Sequence, residues 1–211
     1  MRYAALLLER NRRLNLTGAR TADALVSQLL DSLTISPFMG ETHVDVGSGG
    51  GLPAIPAALV SGSQLTLVES TTKKAAFLRE VVGELGLDTV VLPERAEVAA
   101  RRHELRGSYA TASARAVGAP STVAELTLPF LKVGGQAILQ RGGMNDADRA
   151  ALEDALLVLG GKVIGEHALG ADRRIVLVEK TGPTPERFPR RAGIPAKRPL
   201  GGAGVSRETY R

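Results

Sequence analysis

The stretch Asp45-Val46-Gly47-Ser48-Gly49-Gly50-Gly51-Leu52-Pro53 constrains this chain more than any other. It follows a short apolar run and opens a helix-forming segment, and Leu65-Thr66-Leu67-Val68-Glu69 comes after it. Glycine admits positive φ and puts no Cβ between the backbone and a ligand. A carboxylate at the tip of the neighbouring strand, about 20 residues on, can accept both hydroxyls of a ribose. An acidic strand end, a Gly-x-Gly-x-Gly turn and a second strand ending in a carboxylate together predict a nucleoside-cofactor site. Without Glu69 the same glycines would predict only a strand-to-helix turn.

Spacing selects among nucleoside cofactors. The dinucleotide fingerprint needs a third small residue six places into the turn, so that the helix N-terminus meets a pyrophosphate. Counting from Gly47, that place holds Leu52. A P-loop needs Gly-Lys-Ser/Thr after its glycines, and none follows here. S-adenosylmethionine (SAM) carries no phosphate and needs neither device. Asp45 at the strand end, Gly47 and Gly49 for close approach and Glu69 at the ribose suit it.

The rest of the chain alternates strand-like and helix-like segments. Strands are expected at His43 to Val46, Gln64 to Glu69, Thr89 to Pro93, Tyr109 to Ala114, Gln136 to Gln140, Lys162 to His167 and Arg174 to Glu179. Helices are expected at Ala54 to Val60, Lys73 to Leu85, Glu97 to Arg106 and Val123 to Leu131, with Leu152, Leu156, Leu157 and Gly160 at helical spacing in a further segment. Such alternation predicts an α/β fold with a mostly parallel sheet covered on both faces. Only Ala168 to Arg173 separates the last two strands, too little for a crossover, so they are expected to form an antiparallel hairpin. A seven-stranded sheet of this kind is the Rossmann-like arrangement of SAM-dependent methyltransferases. Two further helices, Arg2 to Arg12 and Ala22 to Ser36, are expected to form an N-terminal cover. The expectation is one domain: cover 1–40, SAM-binding core 41–180 and tail 181–211.

At 211 residues, one domain with a substantial core is the default. The absence of cysteine excludes disulfides, thiolate metal sites and cysteine nucleophiles, and no metal site is expected. No run of 18 apolar residues occurs, so neither a membrane span nor a signal peptide is expected, and the reading is cytoplasmic. The charge is uneven: Gly182 to Arg211 holds seven Lys/Arg against two Asp/Glu, which accounts for the whole net charge of +5. This segment also holds five of the eleven prolines. Composition reads it as a solvated tail or a polyanion contact.

Eight strings in order narrow the reading further. Asn15-Leu16-Thr17, Leu29 to Leu33, Asp45 to Pro53, Val68-Glu69-Ser70 with Lys73 to Glu80, Arg95-Ala96-Glu97, Ser113 to Val117, Leu131 to Gly135 and Pro195 to Leu200 resemble the small-subunit ribosomal RNA methyltransferase G family. That family is also called the glucose-inhibited division protein B family. The resemblance runs from about Leu14 to Leu200, with Gln28 where many relatives carry His and Arg141-Gly142 where they carry Lys-Gly. It implies a SAM-dependent methyltransferase acting on guanine N7 of 16S ribosomal RNA, with free RNA or the small subunit as partner and a monomer as the expected state. Its SAM contacts fall on Gly47, Leu52, Ala96, Glu97 and Arg115.

That chemistry asks little of the protein. Guanine N7 is an unprotonated acceptor on the Hoogsteen edge, so no general base is required and no catalytic side chain is assigned. His43, His103 and His167 are read as structural. With only 3% aromatic residues a base-stacking platform is not expected, and phosphate contacts must dominate. Lys132, Arg141, Arg190, Arg191, Lys197 and Arg198 are the candidates for RNA binding. Two other functions stay open at this point: a small-molecule SAM methyltransferase with the helical cover as its lid, and a non-catalytic nucleotide-binding protein that docks on ribosomal particles.

Overall fold

The computed structural model describes residues 2–170 and 172–201. The sheet consists of β1 (Thr42–Val46), β2 (Gln64–Val68), β3 (Thr89–Leu92), β4 (Tyr109–Arg115), β5 (Leu131–Arg141), β6 (Gly161–Ala168) and β7 (Arg174–Lys180), in the order β3-β2-β1-β4-β5-β7-β6. The pairs among β1 to β5 are parallel, and β7 runs antiparallel to both β5 and β6. The fold is Rossmann-like, with the expected terminal hairpin. Strand order reverses between β1 and β4, and open α/β sheets bind ligands at the carboxyl ends of such neighbours. The Gly-rich turn follows β1 there.

The helices are α1 (Arg2–Leu14), α2 (Ala22–Leu33), α3 (Ala54–Ser61), α4 (Thr72–Leu85), α5 (Ala96–Ala99), α6 (Pro120–Thr127), α7 (Asp146–Leu159) and α8 (Ile194–Lys197). Local chemistry sets their ends. Thr21 caps α2 by accepting from the Ala24 amide, Asn145 caps α7 through the Asp148 amide, and left-handed Gly86 and Gly160 stop α4 and α7. Two expected helices are shorter than their spacing implied. The one over Glu97 to Arg106 closes after a single turn, and α6 stops at Thr127 because Pro129 cannot continue it.

Each face of the sheet carries its own apolar layer. One packs Leu67 and Leu65 against Tyr3, Leu7, Leu25, Phe77 and Leu78, so that α1, α2 and α4 close that side. The other packs Val46, Ala114 and Leu139 against Leu128, Phe130 and Leu156. Phe188 and Leu200 belong to this second layer, 1% and 0% exposed.

The segment from Gly182 is therefore not a solvated tail as far as Gly201. Arg190 forms a two-pronged ion pair with Glu125, whose side chain is fully buried. Arg106 donates to the carbonyls of Thr184, Pro185 and Phe188, and Arg101 to that of Pro189. Arg190, expected at the RNA, is spent inside the fold because a buried carboxylate needs a partner. Composition misses this, since it counts charges without seeing which buried groups they satisfy. Gly201 adopts a left-handed conformation against the backbone of Ala151. The family resemblance ends at Leu200, and the stretch 202–211 beyond it lies outside the described residues.

Candidate active site

At the carboxyl ends of β1 and β2 the Gly-rich turn is tied to its neighbour strand. The Gly47 amide donates to Val68 O at 2.9 Å, and Gly47 sits at φ 72°. A Cβ there would stand 2.8 Å from Val117 Cγ2, so any larger residue is excluded on both conformational and steric grounds. Glu69 is buried and holds the turn: Oε2 accepts the Gly49 amide at 2.9 Å, and Oε1 accepts the Thr71 amide at 2.7 Å. Each oxygen keeps a second lone pair for a ligand hydroxyl.

Asp45 lies deeper, 1% exposed. The parallel register sets His43 opposite Thr111 and Asp45 opposite Ser113, and a polar chain follows. The His43 ring contacts Thr111 Oγ1 and Ser113 Oγ, each at 2.8 Å, and Ser113 Oγ donates to Asp45 Oδ1 at 2.5 Å. Burial pushes the His43 ring down to about 3, so it stays neutral. Burial also pushes the Asp45 carboxyl up to about 7, against the pull of the Ser113 hydrogen bond and the nearby Arg115.

A cleft opens above this turn. Gly47, Ala96 and Glu97 line it, with Val117 and two residues of the C-terminal segment, Gly193 and Ala196. Glu69 sits between two further lining residues, Val68 and Ser70. Glu97 Oε1 accepts the Gly193 amide at 2.8 Å, so the C-terminal segment forms one wall. Leu52 does not reach the cleft; it packs in the layer with Tyr3 and Leu7. The contribution of Gly193 escaped the sequence reading. Its only local signal was a glycine at a left-handed turn just before the Pro-containing start of α8.

Arg115 faces a second cavity of about 310 Å³ at the ends of β4 and β5. Asp31, Gln140, Arg141 and Arg173 line it as well. Arg115 lies 3.9 Å from Asp31, and burial lowers its pKa without removing its charge. Arg141 is 3.6 Å from Asp148. Loop 115–118 separates the two spaces: Ala116, at φ 57°, and Gly118 line the cavity while Val117 lines the cleft.

The remaining RNA candidates divide by place. Arg191, Lys197 and Arg198 are exposed beside the cleft wall. Lys132 is exposed at the other end of β5, roughly 20 Å from Arg141 along the paired strand, because 132–135 bulge out of the β4 register.

The model of the rRNA small subunit methyltransferase G family matches residues 1–176. The chain belongs to this family. A ribosomal RNA small subunit methyltransferase G from Rubrobacter xylanophilus is 43% identical over 95% of this chain and 82% of its own length. The Synechococcus elongatus relative of the same name is 39% identical over 90% and 84%. Among solved structures, the SAM-bound magnesium protoporphyrin IX methyltransferase of Synechocystis PCC 6803 superposes with a TM-score of 0.60 over 85% of this chain and 97% of that one, at 13% identity, a likeness of fold. Members of the family are SAM-dependent methyltransferases.

Proposed function

We propose that the protein transfers a methyl group from SAM to N7 of one guanine in 16S ribosomal RNA. The observation that carries this reading is the pair of spaces near the switch point, a cofactor cleft and an acceptor cavity with loop 115–118 and the start of α6 between them. Family membership supplies the substrate class. It acts in the cytoplasm as a single unit and a monomer, on free RNA or the small subunit.

The residues fit the cofactor. Gly47 leaves room that a Cβ would fill, and Glu69 offers ribose-accepting lone pairs while bracing the turn. Ala96 and Glu97, at the start of α5, stand where the adenine would lie. SAM, when bound, supplies an electrophilic methyl group. The chain's task is alignment: loop 115–118 and the arginines of the cavity hold the base so that its N7 lone pair faces the cleft. Positioning of this kind can lower a barrier by as much as about 7 to 11 kcal/mol. No proton has to leave N7, so no general base is required.

The test uses small subunits or 16S RNA from cells lacking the protein, with labelled SAM. One guanine should become sensitive to borohydride and aniline cleavage, as N7-methylguanine is. Label on an exocyclic amine, a cytosine or a ribose would overturn the N7 reading.

A further inference from the structure

The acceptor cavity has a carboxylate in its wall that the alignment chemistry does not use. Asp31 comes from α2, in the N-terminal cover, and its side chain is only 10% exposed. Arg173 Nη1 donates to Oδ1 at 2.7 Å, and Arg115 stands 3.9 Å from Oδ2, beyond a hydrogen bond. A carboxylate offers about four acceptor positions, so two flanking cations leave capacity unused. The position is fixed by the main chain and not by those cations: Gln140 Nε2 donates to the Asp31 carbonyl at 2.8 Å, and the Thr34 hydroxyl and amide donate to the same oxygen. Gln140 Oε1, in another lining residue, has no hydrogen-bond partner among the described residues.

We propose that Asp31 reads the Watson–Crick edge of the acceptor guanine, accepting hydrogen bonds from N1–H and the N2 amine. The inference rests on the guanine-N7 reading and adds the group that selects the base. Guanine carries N7 on one edge and two adjacent donors on the other. A carboxylate holding those donors against the wall of α2 leaves N7 turned the opposite way, toward the cleft beyond loop 115–118. Adenine would present its N1 lone pair to the same carboxylate and be repelled, and the pyrimidines lack N7. Arg115 or Arg141 supplies a cation on the O6 side.

The experiment compares small subunits reconstituted with guanine or with inosine at the target position. Inosine keeps N7 and N1–H and lacks the N2 amine. The parent protein should methylate guanine with a kcat/KM about 10- to 100-fold above inosine, the loss expected for one hydrogen bond to a charged group. Asp31→Ala should lower kcat/KM on guanine by a similar factor and bring the guanine-to-inosine ratio close to one, with SAM affinity unchanged by calorimetry. Asp31→Asn, of nearly the same shape, guards against loss of fold and should also erode the ratio. A parent that discriminates while both variants keep the full ratio overturns the proposal, because a merely structural salt bridge would lower activity on both bases equally. A parent that does not discriminate overturns it as well. A parent that methylates no N7 on guanine-bearing subunits fails the underlying reading instead, so the two failures are separable.

Discussion

At the scale of single residues, Glu69 ties the Gly-rich turn after β1 to the start of α4. Its side chain is 6% exposed and accepts amides from both Gly49 and Thr71, so Glu69→Ala removes the ribose acceptor and loosens the turn together. SAM affinity should fall by about 1.5 to 3 kcal/mol, the range for hydrogen bonds to a charged group; calorimetry showing no change would refute the assignment. Asp45 predicts a pH effect of a different kind. Its folded pKa, raised by burial to about 7, means that the folded chain binds this proton more tightly than the unfolded chain does. The contribution is full below the unfolded value of about 3.9 and is lost as pH rises through about 7. Thermal melts should therefore show the parent losing stability between pH 5 and pH 8 relative to Asp45→Asn. Parallel profiles would show that the carboxyl is ionised throughout. The turnover rate at saturating substrates should show no such titration, since N7 needs no base. The sequence made both carboxylates visible as strand-end acids. It did not reveal that Asp45 is committed to Ser113, because that partner arrives from β4 through sheet register.

At the scale of elements, what was legible follows from the range of the forces involved. The alternation of strand-like and helix-like segments located all seven strands, and the short link between β6 and β7 dictated their antiparallel pairing. The C-terminal segment was misread because its order comes from afar: Glu125 on α6, Arg101 and Arg106 after α5, and Glu97 at the cleft. Glu125 was hidden inside a helical pattern as an ordinary polar residue, though its side chain is fully buried. Arg190→Ala would leave that carboxylate without its charged partner and with only the residue-190 amide, a loss of about 3 to 5 kcal/mol at most. The variant should melt at distinctly lower temperature, whereas Arg191→Ala, at an exposed neighbour, should melt close to the parent. Equal melting of the two would place the Arg190 pair in solvent. Because Gly193 and Ala196 wall the cleft, the destabilised variant should also bind SAM less tightly.

At the scale of the whole molecule the question is where an RNA can lie. The formal charge of +5 comes entirely from the last 30 residues, but Arg190 is neutralised within the fold. Arg191, Lys197 and Arg198 remain exposed beside Gly193 and Ala196, which line the cleft. Lys132 stands at the opposite end of the sheet, roughly 20 Å along the paired strand, where an RNA strand threaded past loop 115–118 need not pass. Charge reversal at the two places should therefore act differently. Neutralising Arg191, Lys197 and Arg198 together should weaken RNA binding and flatten its salt dependence, each lost phosphate contact taking about 0.7 to 0.9 from the log-log slope. SAM affinity and melting temperature should stay near those of the parent, since none of the three carries a buried partner of the Glu125 kind. Lys132→Ala should leave both affinity and slope unchanged. If Lys132→Ala flattens the slope and the triple variant does not, the RNA crosses the amino ends of the strands. The acceptor base would then have to reach the cavity around the edge of the sheet, and not along the wall that the C-terminal segment builds.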